Sequence, residues 1–240
     1  MNEARSMSGF FDEFNRFYAT SGTGSSPARL NKRHYLMIQA NKEHFPGARV
    51  LDLGSHDGRW SFAAIKAGAA HVTGVEPRAH LVSNARDSFL HYGVPNDQYS
   101  FVEADAFEFL GKCRSDYVVV LCLGVLYHTW RHVDLLGSIS GLSPRAIIID
   151  TQTMANPGSQ LPVIEYFAEV IDQEGNAVAD ASIRKGRVVV ARPSKESLIL
   201  LLRHFGYRLS EIPADRFLRD AEGVADYCEG SRRTLVAIPN

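Results

Sequence analysis

Residues 50–61 read VLDLGSHDGRWS. An apolar run, Val50 to Leu53, carries one acid, Asp52, and then meets Gly54. A second glycine, Gly58, follows four positions on, and the helical run RWSFAAIKAGA begins at once. Strand, sharp turn and helix in that order open a strand–helix–strand unit. Glycines at both ends of the turn let main chain approach a bound molecule with no Cβ in the way.

Outward from this stretch, strand and helix alternate. HVTGVEP, YSFVEAD, DYVVVLCLG and RAIIIDTQT read as strands. HLVSNARDSFLHYG, AFEFLGKC and VDLLGSISGLSP read as the helices between them. That rhythm predicts a parallel sheet with helices on both faces. The unbroken apolar runs VVVLCL and AIIID suit strands buried on both sides. Upstream, Phe10, Phe11, Phe14 and Phe17 recur near helical spacing and predict a short amphipathic helix. SGTGSSP reads as a flexible connector, and LNKRHYLMIQANKEHF as a second helix ended by Pro46-Gly47. Downstream, residues 153–192 alternate with turn signals at Gly175-Asn176 and Lys185-Gly186, as a β-rich insertion would. PSKESLILLLRHFGY opens a further helix with proline and serine. YRLSEIP and RTLVAIP are the last strands, the final one antiparallel. The expected architecture is a doubly wound, Rossmann-like α/β fold with a seven-stranded sheet and a C-terminal antiparallel strand. Residues 1–45 form a helical lid, and 46–240 form the domain that carries the insertion.

Composition narrows the function. With 240 residues, 45% hydrophobic and 22% charged, the chain can bury a large core without staples. A formal charge of −1 gives no global pull toward nucleic acid or an anionic membrane. Cys113, Cys122 and Cys228 are odd in number and far apart, which fits no metal spacing and suggests a reducing compartment. The opening MNEARSMSGFFDEF lacks a basic-then-apolar plan, and no apolar run reaches spanning length, so the cytoplasm is expected.

Open parallel sheets bind ligands at the carboxyl ends of their strands. The Gly54–Gly58 turn ends the first strand, Glu76 the second and Asp105 the third. An acid about 20 residues past such a turn is where ribose hydroxyls are taken. Any one of these residues alone reads as a cap or turn former. Together they describe a site for an adenosine-containing ligand. The dinucleotide pattern GxGxxG and the GK[ST] phosphate loop are both absent. A neutral-to-acidic cradle also suits a cationic sulfonium better than a pyrophosphate.

VLDLGSHDG, GVEP and EADAF resemble the first three motifs of class I S-adenosylmethionine-dependent methyltransferases, and LCLGVLYHT resembles that family's fourth strand end. The resemblance runs over about residues 50–150 and implies S-adenosylmethionine as donor, with S-adenosylhomocysteine as product. On it, Asp52, Gly54 and Gly58 would hold the methionine part. His56 stands where the family often has glycine, and would shape that pocket or face solvent. Glu76 would bind the ribose, Asp105 the adenine amino group beside the Ala106 main chain, while Leu123 and Gly124 would pass the sulfonium.

Methyl transfer needs an aligned nucleophile and, for a hydroxyl, a proton acceptor. His128 in GVLYHTWRHVD is the candidate base because imidazole titrates near neutrality. The plainer alternative is a histidine that closes the loop. Tyr127 and Trp130 would pack around donor or acceptor, and His132 would be a surface or helix-start residue. Asp150, with Gln152 close by, could bond an acceptor hydroxyl or ligate a divalent ion, although no spacing demands a metal. Glu165 and Tyr166 of the insertion would frame the acceptor. The expected reaction is O-methylation of a small polar molecule such as a sugar or glycosylated natural product. GVLYH and PSKESLILLLRHFGY are also similar to the tRNA wobble-uridine carboxymethyltransferases, which use a carboxylated donor and a basic RNA-binding extension. Arg184, Lys185 and Arg187 are the only basic cluster that could serve so here. A donor-binding module without catalysis is a third reading, and a nicotinamide enzyme the weakest. The expected partner is a small-molecule acceptor rather than nucleic acid or membrane, with a homodimer left open.

Overall fold

The computed structural model describes residues 9–114, 116–154, 161–171 and 183–240. Strand β1 (Arg49–Leu53) pairs in parallel with β2 (His71–Glu76) on one side and β4 (Val119–Leu123) on the other. β3 (Tyr99–Glu103) adds beyond β2, and β5 (Ala146–Gln152) beyond β4, again in parallel. β9 (Arg232–Pro239) runs antiparallel between β5 and β8 (Tyr207–Ile212), giving the order β3-β2-β1-β4-β5-β9-β8. The seven strands and the single reversed strand, β9, agree with the expectation. Strand order switches direction between β1 and β4, which opens a crevice at their carboxyl ends.

Two-residue periodicity divides the sheet's side chains between two cores. Val50, Val119, Leu121 and Ile148 face one side with Phe62 of α3 (Arg59–Lys66) and Phe89 of α4 (Ala79–His91). Leu51, Leu53, Cys122, Ile147 and Ile149 face the other. There they meet Leu110 of α5 (Ala106–Lys112), Leu135 and Ile139 of α6 (His132–Gly141), and Leu198 and Leu202 of α7 (Lys195–His204). Both faces are dry, as the continuous apolar strands require.

The amino-terminal segment differs from its expected helix. α1 (Phe10–Glu13) is four residues long and passes into a 3-10 turn at Asn15–Tyr18. The reason is that side chains take over its backbone donors: Phe11 N–H bonds Asn31 Oδ1 at 2.8 Å and Arg16 N–H bonds the Tyr92 hydroxyl at 3.0 Å. The aromatic rings still turn inward. Phe14, Phe17, Phe89 and Tyr92 surround Phe62 at centroid distances of 4.8, 5.3, 5.7 and 5.1 Å. The glycine- and serine-rich connector is a strap rather than a loose tether. Arg59 donates to Ser21 Oγ at 2.5 Å, the Thr20 hydroxyl bonds Asp57, and Asn84 holds the Thr20 carbonyl at 2.9 Å. α2 (Pro27–Met37) then starts with proline at its first position and Ser26 as cap, the usual pairing at a helix start.

The insertion forms an antiparallel pair, β6 (Ile164–Val170) with β7 (Arg187–Pro193), outside the main sheet. Lys185 and Gly186 both have left-handed φ, 50° and 72°, and Arg184 and Arg187 exchange two backbone bonds around them. That is the two-residue hairpin turn whose twist matches its strands. Gly175-Asn176 lies outside the described residues. α8 (Ala225–Cys228) is one turn ahead of β9. Among the described residues no helix is long and apolar enough to cross a membrane.

Because Phe62 is fully buried and joins the strap's aromatics to the sheet, Phe62→Ala is expected to cost about 3–5 kcal/mol in urea unfolding. It should also expose residues ahead of α2 to protease; a loss below about 1 kcal/mol would show that the cluster anchors nothing.

Candidate active site

The carboxyl ends of β1, β2, β4 and β5 open into a crevice of about 540 Å³, within the range of small-molecule sites. The turn after β1 forms its floor. Gly54 has φ 64°, and a Cβ there would sit 2.7 Å from Val125 Cγ2, so the close approach requires glycine. His56 lines the crevice in a left-handed conformation, φ 55°, and its N–H donates to Glu76 Oε2 at 3.1 Å. Gly58 does not reach the crevice. It begins α3 at φ 76° with a Cβ position only 2.9 Å from Ala85, so its role is to let α3 pass close to α4. Behind the turn, buried Asp57 is clasped by Arg59 through bonds of 2.6 and 2.7 Å. Burial pushes that carboxyl up, but the Arg59 charge outweighs it and holds Asp57 well below the usual carboxylate range.

Asp52 lies beneath the floor, 1% exposed, and does not line the crevice. Ser61 donates to its Oδ2 at 2.6 Å, while Oδ1 takes no hydrogen bond among the described residues. Desolvation, opposed by Ser61 and assisted by the nearby Glu76 and Asp57 charges, lifts it to about 7. Glu76 faces the crevice at the end of β2, and Arg78 grips it through Nε at 2.6 Å and N at 3.1 Å. Asp105 caps α5 by accepting from Phe107 and Glu108 N–H at 2.8 and 3.2 Å, and its Oδ2 faces no bond among the described residues. Ala106, Leu123 and Gly124 complete this half.

The other half is built from chain segments far apart in sequence. His128, in a 3-10 turn at Leu126–His128, lines it and bonds Glu169 Oε2 of β6 through Nδ1 at 2.9 Å. Tyr127 and Gln152 also line it, and Gln152 Oε1 accepts from Arg192 at 2.9 Å. Asp150 does not face the acceptor space. It is fully buried, and its carboxylate binds Arg232 at 2.7 Å, Arg33 at 3.0 Å, Tyr227 at 2.6 Å and Thr234 at 3.0 Å. Burial pushes Asp150 up, but the two guanidiniums outweigh it and bring it down to about 2. Its lone pairs are taken by donors, so it is placed to hold arginines rather than a hydroxyl or a metal ion.

Three expected acceptor contacts are not brought to the crevice. Trp130 is 44% and Tyr166 59% exposed, and Glu165 is exposed on β6; none lines the cavity. Glu165 shares a strand face with Glu169 but lies four residues earlier, and Tyr166 is on the opposite face; the strand's contribution is Glu169, which meets His128. His132 starts α6 as expected but is buried, with Nε2 bonded to the Leu126 carbonyl at 2.8 Å. Sequence reasoning missed Arg33, Arg59, Trp60 and Arg232, all of which line the cavity. No local spacing marks Arg33 or Arg232, since Arg33 bonds Tyr227 194 residues away and Arg232 bonds Asp150 82 residues away.

The residues fit an adenosylated sulfonium donor. A glycine floor admits main-chain contact, Asp105 offers an uncommitted oxygen, and Glu76 presents a carboxylate to the cavity beside Arg78. Asp52, with Oδ1 unbonded among the described residues, would add negative potential beneath a cation when ionised.

Because folding raises Asp52 from an ordinary carboxylate value, its contribution to stability is full at low pH and is lost as pH climbs toward about 7. His34, held neutral by burial down to about 4, tilts the other way. The useful readout is therefore a difference. From about pH 5 to about pH 8, Asp52→Asn should gain on the parent by on the order of 2 kcal/mol in urea melts. Parallel curves would remove Asp52 as the titrating group.

Residues 50–141 match a family model described as a methyltransferase domain. A stretch of 108 residues is 29% identical to the ribosomal RNA large subunit methyltransferase K/L of Shewanella baltica, covering 45% of this chain and 15% of that protein. A stretch of 105 residues is 29% identical to the tRNA U34 carboxymethyltransferase of Nautilia profundicola, covering 42% and 33%. The chain thus spans a third or less of these curated relatives. Among solved structures, the N-terminal domain of EvdMO1 in the presence of SAH and D-fucose aligns with a TM-score of 0.59 and 19% identity, over 84% of this chain and 80% of that one. Residues 50–141 thus match a methyltransferase-domain model, and the fold that encloses them is shared with structures solved with S-adenosylhomocysteine.

Proposed function

We propose that this protein transfers the methyl group of S-adenosylmethionine to a hydroxyl oxygen of a small polar acceptor such as a sugar or glycosylated metabolite. The observation that carries the reading is the His128–Glu169 pair at the crevice edge. With Nδ1–H donated to the carboxylate, Nε2 bears the lone pair and is the atom that would take the acceptor's proton. Glu169 would fix this tautomer and steady the imidazolium that forms. When bound, S-adenosylmethionine supplies a methyl group on a positively charged sulfur leaving group. The Gly54 turn and Glu76 would orient the donor's methionine and ribose ends, the ribose displacing part of the Arg78 grip. Asp105 would accept from the adenine amino group. Residues 20–33, which contribute Gly22, Thr23, Ser25, Ser26, Arg29 and Arg33 to the cavity wall, would serve as the lid that excludes water. A D-fucose-containing complex of a protein with this fold is consistent with a sugar acceptor.

A second reading is favoured by one contact. A Cβ built on Gly124 would lie 3.7 Å from both Arg232 Nη2 and the Tyr127 hydroxyl. A carboxylated donor would find its counter-charge there, as the likeness to the tRNA U34 carboxymethyltransferase would suggest.

Labelled donor offered with a panel of sugars and phenols should place label on oxygen; label on nitrogen or carbon alone would end the hydroxyl reading. With the methylated acceptor so identified, His128→Ala should lower kcat by about 100-fold or more with donor affinity unchanged. Glu169→Gln should lower it by about tenfold and shift the pH profile. An unchanged kcat in His128→Ala would dismiss the histidine as base.

A further inference from the structure

The cavity wall opposite the glycine turn holds more positive charge than its immediate partners cancel. Arg59 answers Asp57, Arg78 answers Glu76 and Arg29 answers Asp226, each one for one. Arg33 and Arg232 share a single carboxylate, that of Asp150. That carboxylate is saturated, since both arginines crowd Oδ1 while Tyr227 and Thr234 occupy Oδ2. Glu169, the other acid at this end, keeps its charge but accepts from His128 Nδ1, so it is directed at the imidazole. The Arg232 side chain is 4% exposed and that of Arg33 13%, so the surplus charge sits where water screens it poorly. Arg33 commits Nε to Tyr227 and Nη2 to Asp150, which leaves Nη1 without a hydrogen-bond partner among the described residues. Both arginines line the cavity, as does Tyr127, which lies against Arg232.

We infer that the methyl acceptor carries a carboxylate, held by Arg33 and Arg232 with the Tyr127 hydroxyl as a third donor. The inference rests on the methyltransferase reading and names the chemical class of its acceptor. One surplus charge matches a monoanion, whereas a phosphate ester brings close to two negative charges at neutral pH. Planar guanidinium forks also match the geometry of a carboxylate, and such charge-assisted bonds are strong when water is excluded. The anchor sits beside Gly124, at the end of the strand that the reacting atoms would face, so the acid group of the acceptor lies close to the hydroxyl that is methylated. A 2- or 3-hydroxy acid or a sugar acid has that layout.

The test uses acetate as the probe on the full chain saturated with S-adenosylhomocysteine, read by ligand-observed NMR. Acetamide is the neutral isostere and inorganic phosphate the dianion. Acetate should bind at least about tenfold more tightly than either. Arg33→Gln should weaken acetate by about tenfold with S-adenosylhomocysteine affinity unchanged. Tyr127→Phe, which leaves the arginines in place, should weaken it severalfold and stands in should Arg33→Gln fail to fold. Equal binding of acetate and acetamide overturns the inference, and tighter binding of phosphate overturns it in favour of a phosphorylated acceptor. If a carboxymethylated donor displaces acetate and itself binds more tightly than S-adenosylmethionine, the anion belongs to the donor and the acceptor inference falls. Failure of S-adenosylhomocysteine to bind would bring down the methyltransferase reading as well, whereas its binding without acetate would leave that reading standing.

Discussion

One carboxylate holds the functional half of this molecule together. Asp150 lies near the end of β5, and its partners come from α2, α8 and the neighbouring strand β9. Without that charge, Arg33 and Arg232 would repel each other across the sheet end and Tyr227 would lose its buried acceptor. The antiparallel course of β9 is what brings Arg232 and Thr234 alongside Asp150. The reversed final strand is therefore part of the site and more than a way to close the sheet.

Two buried aspartates, on β1 and β5 with β4 between them, are driven in opposite directions. Asp52 has one hydroxyl donor and two acidic neighbours, so desolvation wins and the group titrates near neutrality. Asp150 is equally buried but faces two guanidiniums, so it stays charged far into acid. The crevice between them is polarised, with negative potential under the glycine turn and positive potential across from it. A cationic donor and an electron-rich acceptor would be drawn to opposite ends of the same cavity.

The parallel core was legible because its central strands β1, β4 and β5 are buried on both faces and some helices begin with recognisable chemistry. Ser194 and Ser26 cap their helices, and Asp105 does so while also facing the cavity. Gly54, Glu76 and Asp105 were readable as a group since they occupy three successive strand ends. The acceptor half was not readable in the same way. Arg33, Glu169 and Arg232 meet only after strands from distant parts of the chain have been paired, and no spacing records that. Trp130, Glu165 and Tyr166 show the opposite failure: chemically apt residues in the right segment that the fold leaves exposed. Gly58 was misread for a different reason, because a left-handed glycine can serve packing as well as ligand approach.

The strap deserves a mechanical description. Thr20 and Ser21 bond the same Asp57–Arg59 pair that lies in the turn after β1, while the residues that follow them line the cavity. The roof and the floor of the crevice thus share one ionic hinge pin. A roof that lifted to admit or discharge a ligand would strip Arg59 of its Ser21 partner and so couple traffic through the crevice to the turn beneath it.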